Sequence, residues 1–130
     1  MGYRRNEKEQ RQYLFEKAVN SIVAQGKPAI NLDGACLYRA PDGSKCAIGH
    51  LMADKDYKNH MESKPAYKIF KGNYRVKFGL KPGVKNEEFL TALQTVHDNN
   101  RFYEGEQFIQ EFKNEARIFA EQWGLTLPNS

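Results

Sequence analysis

Three stretches of this chain carry apolar side chains at the three-and-four spacing that gathers them on one face of an α-helix. In the first the stripe is Leu14, Phe15, Ala18, Val19, Ile22 and Val23. In the second it is Phe89, Leu90, Leu93, Val96 and His97. In the third it is Phe108, Ile109, Phe112, Ala116, Phe119, Ala120 and Trp123. A helix with one apolar stripe must bury it, so three of them predict helix packed on helix. The ends are marked as well. Asn6, with Glu9 three residues on, has capping-box spacing. Gly26 stops the first helix and Pro28 blocks its continuation. Asn86 is placed to cap the second, which Asp98-Asn99-Asn100 then breaks. The third runs from about Glu104 to Trp123, with Gly124 and Pro128 behind it.

Between the first two helices the pattern changes. Ala40-Pro41-Asp42-Gly43 suits a type I turn with Gly43 left-handed, and the flanking residues read as a short hairpin pairing Ala40 with Ser44 and Tyr38 with Cys46. Cys36, Tyr38 and Cys46 then share one face. Residues 48–53 read as a short helix. The expected fold is mainly α: a small helical bundle of three main helices plus a short β-hairpin, α+β at the margin. At 130 residues, with no linker or repeat, residues 1–130 make a single domain. No apolar run reaches the length of a membrane span and no secretory signal opens the chain, so the expected place is the cytoplasm. Two cysteines in such a setting are read as reduced thiols.

The hairpin also carries a motif. Cys36-Leu-Tyr38-Arg39, then Gly43-Ser-Lys45-Cys46-Ala-Ile-Gly49, Asp54 and Tyr57 resemble a block found in a family of small phage- and prophage-encoded proteins. Leu93-Gln-Thr-Val-His97-Asp98 resembles a second block of the same family. The resemblance implies a viral or prophage origin and a bacterial host cytoplasm. It implies no catalytic residue.

Charge is unevenly placed. Residues 63–86 hold seven cations (Lys64, Lys68, Lys71, Arg75, Lys77, Lys81, Lys85) and no acid, whereas residues 87–130 hold eight acids against three cations. Glycines and prolines cut the basic stretch into short pieces, expected to be loops with at most one strand. Lys64, Lys68, Lys71, Tyr74, Arg75, Lys77, Phe78 and Lys81 interleave cations with aromatics, the combination that neutralises phosphates and stacks on bases. Against this, the aromatics can be core anchors, and the cations can face the chain's own acidic helices. Gly79-Leu-Lys-Pro-Gly83 lacks the Ser or Thr of a phosphate-binding loop.

Other constellations are weaker. Cys36, Cys46, His50 and His97 are zinc-ligand types, but the cysteines stand ten positions apart instead of two to four. Both read better as small buried hydrophobes. His97 with Asp98 suggests a base and its orienter, yet helical neighbours point about 100° apart, so Asp98 is not expected to orient His97. A metal at this pair would need His60 or Asp54, which no spacing demands. His97 reads as a satisfied core histidine, and Arg39 and Lys45 as salt-bridge partners of Asp33, Asp54 or Asp56. No cofactor or metal is expected. The sequence is thus read as a non-enzymatic binding protein engaging a bacterial or phage protein, for host takeover or counter-defence. The alternative is a nucleic-acid or anionic-nucleotide binder using residues 64–85. A Cys/His-based or metal-dependent enzyme comes third. Net positive charge argues against a DNA mimic.

Overall fold

In the computed structural model, residues 5–72, 74 and 76–128 are described. Helix α1, Glu7–Gln25, opens as its capping box requires. Asn6 Oδ1 accepts the Glu9 N–H at 2.8 Å, and the Glu9 carboxylate accepts the Asn6 N–H at 3.0 Å. Gly26 ends it in the left-handed conformation, φ 77°. Helix α4 spans Val84–Asp98 and α5 spans Gly105–Trp123. The three stripes face inward as expected. Phe15 stacks on Phe119 with centroids 5.3 Å apart, and Phe89 meets Phe119 at 5.6 Å and Trp123 edge-on at 5.3 Å. Phe15, Phe89 and Phe108 are fully buried, each worth roughly 1.5–3 kcal/mol against exposure.

Two short helices complete the packing. α2, Ala47–Leu51, lies against α1 and α4, and α3, Ala66–Lys71, lies on α4. The fold is mainly α. Helix α3 corrects the expectation of loops or a strand in the basic stretch. Ala66 and Ile69 are its buried residues, so two small apolar anchors three apart, backed by α4, suffice where glycine and proline signals suggested otherwise.

The expected β-hairpin is not shown. The turn is there: Gly43 has φ 91°, and Arg39 and Lys45 form an isolated antiparallel bridge in the expected register. No strand grows from it among the described residues, for a reason visible at Cys46. Cys46 is the N-cap of α2, and its carbonyl accepts the His50 N–H at 3.0 Å. The Tyr38 N–H therefore lacks the partner that a ladder needs. It donates instead to Glu62 Oε1 at 2.7 Å, and the Arg39 N–H donates to Glu62 Oε2 at 3.2 Å. On the other arm, Gln25 takes both backbone groups of Lys45, accepting its N–H at 2.8 Å and donating to its carbonyl at 3.0 Å. Side-chain carboxylate and amide stand in for neighbouring strands.

Asn86 is not the cap of α4. The helix begins earlier, after Gly83, and Asn86 is buried in its first turn. Its amide donates to Glu7 at 2.8 Å and to the Lys81 carbonyl at 2.9 Å, and its oxygen accepts from Arg11 at 3.1 Å. It ties α4 to α1 instead. One hydrophobic cluster draws on α1 to α5 and on the segments between them. No helix is long and apolar enough to cross a membrane.

Candidate functional site

The motif residues between Cys36 and Tyr57 frame the irregular segment. Arg39 holds Asp54 at 2.6 Å and donates to the Met52 carbonyl at 2.9 Å, while Lys45 approaches Asp54 at 3.7 Å. Tyr57 donates its hydroxyl to Glu62 at 2.5 Å, and burial with that carboxylate pushes its phenol up to about 12. A Cβ on Gly49 would collide with the Tyr38 carbonyl oxygen, which is why glycine stands there. Cys46 is fully buried, and its sulfur caps Gly49 N–H at 3.4 Å. Burial pushes its thiol up to about 12. His50 is drawn to Gln25 at 2.9 Å, and the four zinc-ligand types Cys36, Cys46, His50 and His97 do not gather as one set among the described residues.

A different cluster forms. Cys36, His97 and Asp98 each bring one ligand-type atom to within 4.8 Å of the others. The sequence expectation about Asp98 was wrong here. His97 Nδ1 and Asp98 Oδ1 are 2.9 Å apart, because Asp98 ends the helix and its carboxylate folds back, with Gln94 Nε2 donating to the same oxygen at 2.8 Å. The expectation of a satisfied core histidine held. His97 is fully buried, and its Nε2 accepts the Ala29 N–H at 3.0 Å. That bond needs the lone pair on Nε2, so the ring proton sits on Nδ1 and points at Asp98.

This geometry decides the chemistry. A metal on Nδ1 would move the proton to Nε2, against the Ala29 N–H. A cysteine nucleophile needs a base beside its sulfur, but the Cys36 thiol bonds to Asp98, and both histidine nitrogens are taken. Burial first, then Asp98, drives the Cys36 thiol well above the usual range. The trio is a hydrogen-bonded anchor for residues 29–36. A narrow cleft of about 160 Å³ opens beside it, lined among others by Cys36, Tyr38, Glu62, Thr91 and Asp98. The Thr91 hydroxyl there is buried with no partner among the described residues.

The larger cleft lies on α3. It has a volume of about 550 Å³, is open to solvent, and is lined by His60, Lys64, Lys68, Lys71, Gly72 and Tyr74. Lys68 and Lys71 stand one turn apart on α3 and so share a side of it, and Lys64 lines the same cleft from the extended segment just before the helix. All three are exposed, and among the described residues no acid pairs with them. Lys71 lies over the Tyr67 ring at 5.5 Å. Opposite, the His60 and Tyr74 rings pack at 5.2 Å, tilted by 35°. The feared alternative, cations spent on the acidic helices, does not hold for these three.

The rest of the basic stretch goes elsewhere. Phe78 is buried against Phe70 at 6.1 Å, and its carbonyl accepts from Gln10 at 2.7 Å. Lys81 gives its backbone N–H to Glu7 at 3.1 Å. Neither they nor Lys77 line the cleft, and Arg75 lies outside the described residues. The sequence missed His60 because it precedes the basic stretch. The three-residue spacing of Lys68 and Lys71 was the available signal for a shared helix face, and Lys64, before Pro65, carried no such signal. No family model, curated protein or solved structure matches the chain.

Proposed function

We propose that this chain is a non-enzymatic binding protein, and that its contact surface is the basic cleft on α3, taking an anionic partner. The observation that carries this is the row of three exposed lysines around one open cleft, none paired with an acid among the described residues. Unpaired cations in a concave site focus field and attract anions. The buried His97 and the half-buried Cys36 and Asp98 support the non-enzymatic part, since each is already engaged with protein groups. The test is anisotropy with labelled polyphosphate, an oligonucleotide and an acidic peptide, comparing the natural chain with K64Q/K68Q/K71Q. At least one probe should bind at low salt and be lost in the triple variant. Equal binding by the variant would remove the cleft from consideration.

A second reading keeps the partner that the phage resemblance implies: a bacterial or phage protein, met in the host cytoplasm. What favours it is the exposed Phe102, whose ring lies against Gly34, two residues along the chain from the exposed Leu32. Exposed large apolar groups placed together serve protein contacts. A pull-down from bacterial lysate separates the readings. L32A/F102A should lose captured protein that survives nuclease, whereas the lysine variant should lose nucleic acid.

A further inference from the structure

We propose that the ligand of the α3 cleft is single-stranded nucleic acid, its phosphates along Lys64, Lys68 and Lys71 and a base seated on the His60–Tyr74 ring pair. This deepens the anion-binding reading and rests on it.

Three features combine. The first is the lysine row: Lys68 and Lys71 on α3 and Lys64 in the extended segment before it all line one cleft, three cations for a short piece of backbone and not a single phosphate. The second is the ring pair. His60 is exposed and backed by Tyr74, and both line the same cleft as the lysines. Gly72 permits this, since a Cβ there would sit 3.2 Å from the Tyr74 ring. The third is the absence of competing charge: no acid lines the cleft among the described residues. Lysines alone would suit any polyanion. Rings beside them add a surface that polyphosphate or an acidic peptide cannot use, whereas every base has a face to stack. In a duplex those faces are covered, which selects single strands.

The arrangement gives numbers to test. Three cations on a single strand should give a slope of log K against log salt of about −2, whereas a duplex on the same cations would give about −2.7. Stacking of one base should contribute about tenfold in affinity without altering the slope.

The experiment uses the full chain and four labelled probes of equal length: a single-stranded oligonucleotide, the same backbone without bases, a duplex, and polyphosphate. The expected result is tightest binding to the natural single strand, with the base-free strand about tenfold weaker. Both H60A and Y74A should erase that difference and keep the salt slope. H60A covers the case in which loss of Tyr74 disturbs folding, because His60 is exposed. Equal binding of the two strands, or tighter duplex binding, would overturn the nucleic-acid inference and leave anion binding standing. Failure of all four probes to bind, or full binding by K64Q/K68Q/K71Q, would overturn both.

Discussion

Replacing Glu62 tests the idea that one carboxylate takes the place of a missing strand. Glu62 accepts three hydrogen bonds: Tyr38 N–H at 2.7 Å, Arg39 N–H at 3.2 Å and the Tyr57 hydroxyl at 2.5 Å. Bonds to a charged acceptor contribute about 1.5–3 kcal/mol each, but they share one half-buried group and do not add, so Glu62→Ala should cost about 3–4 kcal/mol. For a domain of this size that lowers Tm by roughly 10–15 °C. Glu62→Gln is the sharper probe. Its amide oxygen can keep the Arg39 and Tyr57 bonds at neutral strength, but its nitrogen then faces the Tyr38 N–H, donor against donor. The expected cost is about 2 kcal/mol, between the natural chain and alanine. Urea unfolding followed by Trp123 fluorescence measures both. If alanine and glutamine cost the same, and less than about 1 kcal/mol, the carboxylate is only a surface group and the explanation for the missing strand fails.

Other expectations follow from the same bonding. Stability should fall as pH drops from 6.5 to about 4. Burial holds the folded His50 imidazole down to about 4, so in that window the unfolded chain binds more protons. Urea midpoints across that range should slope less in His50→Gln. Both thiols should resist alkylation at pH 8 in the folded protein, Cys46 fully, and react only in denaturant; fast labelling of native Cys46 would contradict its burial. His97→Ala should cost roughly 3–5 kcal/mol, from a cavity beside Phe108 and an orphaned Ala29 N–H. Adding cobalt to the natural protein should give no thiolate-to-cobalt absorption band, since Nδ1 of His97 carries the proton; a band would show the histidine bond to Ala29 giving way.

How much was legible differs between elements. The periodicity of α1, α4 and α5 revealed their buried faces, because helical spacing is a local property and a stripe has to be covered wherever it lies. The Asn6 box and the Gly26 and Gly124 stops were equally local. The turn at Gly43 was visible for the same reason. What failed was mostly what depends on a partner far along the chain. Asn86 has the chemistry of a cap, and only the approach of Glu7, Arg11 and Lys81 made it a buried tie. The hairpin lost its ladder to a helix starting one residue too soon and to Glu62, 24 residues from Tyr38. Asp98 orients His97 although adjacent helix positions diverge, since the last turn of a helix leaves its side chain free to fold back.

The basic cleft divides in the same way. Its charge was written in the sequence, since net charge over a segment does not depend on folding. Which cations share a surface was not. Packing of α3 on α4 set Lys64, Lys68 and Lys71 beside His60 and Tyr74, while burial of Phe78 carried the end of the stretch toward α1. Composition and period therefore determined what this chain must bury and where its charge lies. Only the tertiary structure decided which polar groups are consumed in holding it together and which remain free to bind, because hydrogen bonds are satisfied in space and not along the chain.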